Sequence, residues 1–186
     1  MIGRRFPHLL KAAAGGDEAA FGVLWHDLQP RLFRYFTVMA PAAAEELAAA
    51  TWMAVIGGLS RFRGSEPAFR VWVFTIARHQ LGGWRRRSGG NPAEQRPVTN
   101  SIEPAAFDDP VDSLQGIPTR AALDLIATLP ADQAEAITLR VVAGLAVGQV
   151  AEVMGKPPGT VRVLTHRGLQ RLAERLSRDA HLPGVG

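Results

Sequence analysis

Residues 129–176 read LPADQAEAITLRVVAGLAVGQVAEVMGKPPGTVRVLTHRGLQRLAERL, and this stretch decides the fold. Pro130 stands where a helix begins, because a proline in the first turn gives up no needed hydrogen bond. Ala134, Ile137, Leu139, Val141 and Val142 make that helix largely apolar, and Gly144 breaks it. Val147 opens a short second helix with Val150, Ala151 and Met154 inward, and Gly155 ends it. Lys156-Pro157-Pro158-Gly159 forms a tight corner, and Thr160 is placed to cap a third helix. That helix sets Val161, Leu164, Leu169, Leu172 and Leu176 among Arg162, His166, Arg167, Arg171 and Arg175. A short helix, a glycine-containing turn and a basic amphipathic helix together read as a helix-turn-helix, whose second helix enters a DNA major groove.

Working outward, 186 residues suffice for one or two small domains, each with its own core. Basic side chains number 21 against 17 acids, and nearly all are arginine, whose planar fork suits phosphates and guanine edges. The chain has no cysteine, which removes disulfides, thiolate metal sites and cysteine nucleophiles. No apolar run approaches the roughly 20 residues that span a bilayer. Lys11 and Asp17-Glu18 interrupt the short apolar N-terminal piece, so no signal peptide and no membrane insertion are expected, and the expected compartment is the cytoplasm. His8, His26, His79, His166 and His181 are scattered without metal-ligand spacing, and no phosphate-cradling glycine loop follows a strand. Neither a metal, a cofactor nor an enzymatic activity is therefore expected.

The N-terminal part reads as four helices. Phe6 to Ala14 is closed by Gly15-Gly16, and Asp17 caps the next helix, where Phe21, Leu24 and Leu28 share a face. Pro30 is expected to bend or restart the chain before Leu32, Phe33, Phe36 and Met39. Pro41 opens a third helix with Leu47, Thr51, Val55 and Leu59 on one side, Trp52 and Ile56 beside them, and Gly57-Gly58 loosening its end. Glu45 and Glu46 sit near its start, where the helix dipole favours acids. After the basic turn Arg61-Phe62-Arg63-Gly64, Ser65 caps a fourth helix from Glu66 to Arg87. Phe69, Trp72, Val73, Ile76 and Gln80 mark its inner face, and Val71 and Phe74 a second apolar face. Arg63, Arg70, Arg78, His79, Trp84, Arg85, Arg86 and Arg87 surround them. Arginines interleaved with aromatics suit unpaired bases, since rings stack at roughly 1–3 kcal/mol per base while the cations hold the backbone.

Residues 88–118 change character. Pro, Gly, Ser and Asn dominate, and Glu94, Glu103, Asp108, Asp109 and Asp112 face a lone base, Arg96. The expected organisation is all-α: a helical bundle over 1–87, a flexible acidic linker over 88–118, a helix-turn-helix domain over 119–178 and a tail over 179–186.

The order of these segments carries a resemblance. GDEAAFGVLWHDLQPRLFRYF, AEELAAATWMAVIGGLSRFRG and AFRVWVFTIARHQLGGWRRR, then a linker and the helix-turn-helix, resemble a bacterial sigma factor of the sigma-70 family, in the extracytoplasmic-function group. FTIAR (74–78) and AEVMGKPPGTVR (151–162), with His166-Arg167 a turn further on, are its strongest segments. The resemblance implies a protein that binds the core of RNA polymerase, at its clamp and flap regions, and gives it promoter specificity. Domain 2 of such a factor would grip the clamp through Glu45, Glu46, Leu47, Thr51 and Trp52. The fourth helix and the turn before it would hold the single-stranded minus-ten element. Domain 4 would read the minus-thirty-five duplex through Arg162, Val163, His166 and Arg167, with Pro157, Gly159 and Thr160 near phosphates. The family usually has an antagonist, an anti-sigma factor. Its linker passes near the polymerase active site, where five acids would mimic nascent RNA.

Three departures stand out. The clamp-binding helix usually reads like DLVQETF, whereas residues 46–52 read ELAAATW. An aspartate is usual where Gly83 stands, and Gly82-Gly83 costs roughly 2 kcal/mol of helix preference relative to alanine. A small polar residue and an arginine are usual where Val163 and Leu164 stand, so readout is expected to rest on Arg162, Arg167 and DNA shape. The alternative function is a stand-alone helix-turn-helix regulator that ignores polymerase, for which the aromatic-basic fourth helix has no use.

Overall fold

The computed structural model describes residues 2–88 and 119–179, and among them the chain forms eight α-helices and no strand. The acidic linker with its five carboxylates, and the tail with His181, lie outside the described residues.

Helix α1 (Phe6–Ala14) follows a short 3-10 turn, and α2 (Glu18–Met39) starts where the Asp17 carboxylate accepts the Ala20 amide at 2.9 Å. Helix α3 (Ala44–Leu59) follows a second 3-10 turn at Pro41–Ala43. Helix α4 (Glu66–Arg87) is capped by Ser65, whose hydroxyl accepts from the Ala68 amide at 3.5 Å. Pro30 does not interrupt α2. Leu24, Leu28, Leu32, Tyr35 and Phe36 form one buried stripe on both sides of it. Burying that stripe at roughly 1.5–3 kcal/mol per large side chain outweighs the hydrogen bond Pro30 removes. Gly57-Gly58 does not loosen α3 either, because the helix continues to Leu59 and Gly58 seats the Trp72 ring. A Cβ at Gly58 would lie 2.7 Å from Trp72 Cζ2.

The inner face of α4 is wider than expected. Phe69, Val71, Val73, Phe74, Ala77 and Leu81 are all buried, whereas Trp72, Ile76 and Gln80 are half-buried. The reason is that α4 is covered twice, by α2 and α3 on one side and by the helix over Val147–Met154 on another.

The C-terminal helices are α5 (Thr119–Ala127), α6 (Ala131–Ile137), α7 (Val147–Met154) and α8 (Pro158–Asp179). After α6 the chain widens into a π-helical turn at Thr138–Val142, then reverses at Gly144, whose φ of +70° falls in the left-handed region. Helix α8 begins at Pro158, so Thr160 lies in its first turn rather than at its cap. The fixed φ of Pro158 suits that opening position. Gly168 is where α8 crosses α6, with Ile137 lying against it.

The two helical groups pack against each other. Ala136, Leu139, Leu145, Val150 and Met154 belong to the same buried cluster as Tyr35, Phe36, Phe74 and Leu81. Val38 at the end of α2 joins a second cluster with Leu123, Ile126, Leu129 and Ile137.

Candidate nucleic-acid and polymerase interface

The turn between α7 and α8 is built from backbone geometry. Gly155 adopts φ +62°, and the Lys156 amide donates to the Ala151 carbonyl at 3.0 Å. The Lys156 ammonium reaches Asp132 on α6 at 3.0 Å, which ties the turn to the domain. Val161 is fully buried and fixes the rotation of α8. The residues around it point outward: Thr160, Arg162, Val163, His166 and Arg167 lie along the first half of the helix, and all five are exposed. Further on, Arg171 donates to Gln133 at 2.8 Å and Arg175 to Thr128, so these two arginines hold α8 to its own domain.

The second cluster lies on α4 and the turn before it. Arg63 is exposed and donates to the Ser60 and Phe62 carbonyls, both at 2.8 Å. His79, Arg86 and Arg87 are exposed, and Trp84 is half-buried against the core. Arg85 donates to the Met39 carbonyl at 3.3 Å. Arg78 pairs through Nε with Glu135 of α6 at 3.0 Å. Arg70 does not belong with these outward cations. Its guanidinium is buried and lies 2.8 Å from both Asp27 and Glu66, where it joins α4 to α2.

Beside them is a hollow of about 570 Å³ lined by Ala54, Gly57, Gly58, Arg61, Phe62, Arg63 and Trp72. Phe62 and Trp72 stack on each other in its lining, with ring centroids 4.9 Å apart and planes 26° from parallel. Arg61, Phe62 and Trp72 were not among the expected contact residues. The run Arg61-Phe62-Arg63 was a visible signal, but its ring partner sits a helical segment away.

On α3 the expected set divides. Glu45 and Glu46 are exposed, whereas Leu47, Thr51 and Trp52 are buried. Thr51 donates to the Leu47 carbonyl at 2.7 Å, and Trp52 Nε1 to Gln29 at 2.6 Å. The outward face continues through Met53 and Ile56, at 69% and 51% exposure, large apolar side chains with no cover among the described residues. No group of acids and histidines among the described residues is placed to hold a metal ion, and no described helix is long and apolar enough to cross a membrane.

Tyr35 joins the two helical groups chemically. Its hydroxyl donates to Glu135 Oε1 at 3.0 Å, the oxygen that also receives Arg78. Burial, then the neighbouring Glu135 charge and hydrogen bond, push the phenol well above its ordinary value, while Arg85 and Arg78 pull weakly the other way.

The family descriptions Sigma-70 region 2 and Sigma-70, region 4 match residues 24–89 and 119–172. The chain is 30% identical over 181 residues to the ECF RNA polymerase sigma factor BldN of Streptomyces coelicolor, covering 95% of this chain and 67% of BldN. It is 30% identical over 187 residues to the ECF RNA polymerase sigma factor SigD of Mycobacterium tuberculosis, covering 95% and 86%. Among solved structures, RpoE of Bartonella quintana in complex with the anti-sigma factor NepR superimposes with a TM-score of 0.67. That match has 24% identity and covers 84% of this chain and 96% of RpoE. CnrH, solved with the cytosolic domain of CnrY, gives 0.64 at 20% identity, covering 92% and 96%. Both share the fold.

Proposed function

The chain belongs to the sigma-70 family as an extracytoplasmic-function RNA polymerase sigma factor, a protein that binds core polymerase and directs promoter-specific initiation, and on that premise we propose how its surfaces divide the work. Residues 1–87 act as domain 2 and residues 119–178 as domain 4. The outward half of α8, with Thr160, Arg162, Val163, His166 and Arg167, enters the major groove of the minus-thirty-five duplex. The basic face of α4 and the hollow beside it take the single-stranded minus-ten element. Arg63, Arg78, His79, Arg85, Arg86 and Arg87 hold the backbone. An unstacked base settles among Phe62, Trp72 and the Arg61-Arg63 turn, with Trp84 further along the helix.

Glu45, Glu46, Met53 and Ile56 present the polymerase-binding face of α3, while Leu47, Thr51 and Trp52 set its position from inside. Arg70 likewise supports α4 from within. RpoE was solved with the anti-sigma factor NepR, and an antagonist of that kind would cover the exposed apolar face of α3 here. The protein acts in the cytoplasm, and the chemistry of RNA synthesis stays with the polymerase.

The observation that carries this assignment is an aromatic-floored basic hollow in the same chain as an exposed recognition helix, since a duplex-only binder needs only the second. Reconstitution with purified bacterial core polymerase, followed by run-off transcription from a promoter library, tests it. Promoter-dependent initiation, lost when the hollow or the α8 face is substituted, is the expected result. Duplex binding with no affinity for core polymerase would favour the stand-alone regulator.

A further inference from the structure

If domains 2 and 4 take the minus-ten and minus-thirty-five elements, as their surfaces suggest, they must part to do so. Those elements are about 25 base pairs apart, or about 85 Å along the duplex at 3.4 Å per step. A compact body of the size described here is only about 40 Å across. The chain between residues 88 and 119 reaches roughly 100 Å when fully extended, so its length permits the separation. In the structure the domains are instead closed on each other over a continuous apolar core, and domain 4 covers part of the α4 surface proposed for the DNA strand.

A polar cluster sits inside that interface. Glu135 has a side chain 5% exposed, and its Oε1 takes both the Tyr35 hydroxyl and Arg78 Nε at 3.0 Å. The guanidinium that would meet a DNA phosphate therefore meets a carboxylate of domain 4. Two flanking contacts run the same way, Arg31 to the Ala143 carbonyl at 3.3 Å and Gln149 to the Pro67 carbonyl at 3.3 Å. We infer that the packed arrangement is an autoinhibited state, latched by Glu135 between Tyr35 and Arg78, which has to open before the chain holds promoter DNA. The carboxylate stands in for a phosphate, so DNA and closure compete for Arg78. Removing Glu135 strands a buried phenol in the closed state but not in an open, hydrated one, which favours opening.

The full-length chain suits a direct test because it contains no cysteine. Lys11→Cys and Glu174→Cys, both at exposed helix positions, give dye sites on the two domains for energy transfer. Glu135→Ala is expected to raise the low-transfer, open population about tenfold and to raise affinity for a single-stranded minus-ten oligonucleotide by a similar factor. Adding Tyr35→Phe to that variant, which removes the stranded hydroxyl, is expected to restore part of the closure. Should Glu135→Ala not fold, Glu135→Gln keeps the side-chain volume, loses the charge, and is expected to open by a smaller factor. Unchanged transfer in a folded Glu135 variant would overturn the latch. Opening with no gain in DNA affinity would overturn its inhibitory role. Failure of the wild type with core polymerase to bind promoter DNA would instead sink the promoter reading, and the inhibitory role with it, while energy transfer still decides whether Glu135 holds the domains together.

Discussion

Arginines of one helix do different jobs, and burial separates them. Arg70 is held between Asp27 and Glu66 with 8% of its side chain exposed, whereas Arg86 is exposed. Arg70→Ala leaves two nearly buried carboxylates without their shared cation, so it is expected to cost about 3 kcal/mol of stability. Well below its melting temperature the variant should still bind single-stranded minus-ten DNA as the wild type does. Arg86→Ala is expected to melt normally, to bind the strand more weakly, and to show a shallower dependence on salt. Melting curves paired with binding at two salt concentrations check both, and a folded Arg70→Ala that loses strand affinity would return Arg70 to the DNA-contacting set. On α8, Arg162→Ala is expected to cost about 1–3 kcal/mol of discrimination at particular upstream bases, read as a flattened base-preference profile. Val163 has no hydrogen-bond donor to offer, so its contribution is limited to contact with a thymine methyl. Sequence could show that Arg70, Arg78 and Arg86 share a basic helix. It could not show that Asp27, more than forty positions earlier, neutralises the first of them.

At the scale of elements, the helix starts were legible because their chemistry is local. Asp17 and Ser65 cap the helices they were expected to cap, and Gly144 and Gly155 turn the chain with positive φ where the sequence breaks. What was not legible depends on neighbours distant in sequence. Pro30 reads as a break by itself, yet the stripe from Leu24 to Phe36 carries the helix through. Thr160 reads as a cap, but Pro158 starts the helix first. Helix α3 shows the same limit at its proposed polymerase-binding face. The expected clamp contacts Leu47, Thr51 and Trp52 have the right spacing for one side of a helix, and that side faces the core. The opposite side, through Glu45, Met53 and Ile56, is the one a partner can touch. Met53→Glu and Ile56→Glu together are therefore expected to lower affinity for core polymerase at least tenfold while leaving the melting temperature nearly unchanged, because neither side chain is buried in the chain alone. Competition binding to core polymerase measures it. A loss of affinity confined to folded variants at the inner positions would put the contact on the other face.

For the whole molecule, the question the composition of residues 88–118 left open is how the two domains sit, and their shared core answers it for the described residues. The chain also carries its own reporter of that arrangement. Tyr35 is its one tyrosine, so phenolate absorbance in an alkaline titration reads this residue and no other. In the closed state the ring is fully buried, and the groups that face it are Glu135 from α6 and Arg78 and Arg85 from α4. Burial and the carboxylate raise the folded pKa above the ordinary 10.0, and the arginines only partly offset them. Because the folded value is the raised one, the closed state binds the proton more tightly than an opened or unfolded chain does. Its contribution to stability is then complete below about pH 10 and is lost as pH rises from there toward the folded value. The labelled chain with Glu135 intact is expected to show phenolate appearing late and together with the loss of energy transfer between the domains, since the proton leaves as the interface parts. In Glu135→Ala the second cause of the shift is gone and the closed state is less populated, so the titration should move down toward the ordinary value. A tyrosine in the labelled chain that ionised near its ordinary value while energy transfer stayed unchanged would mean that the buried Tyr35–Glu135 contact is not part of the closed state in solution.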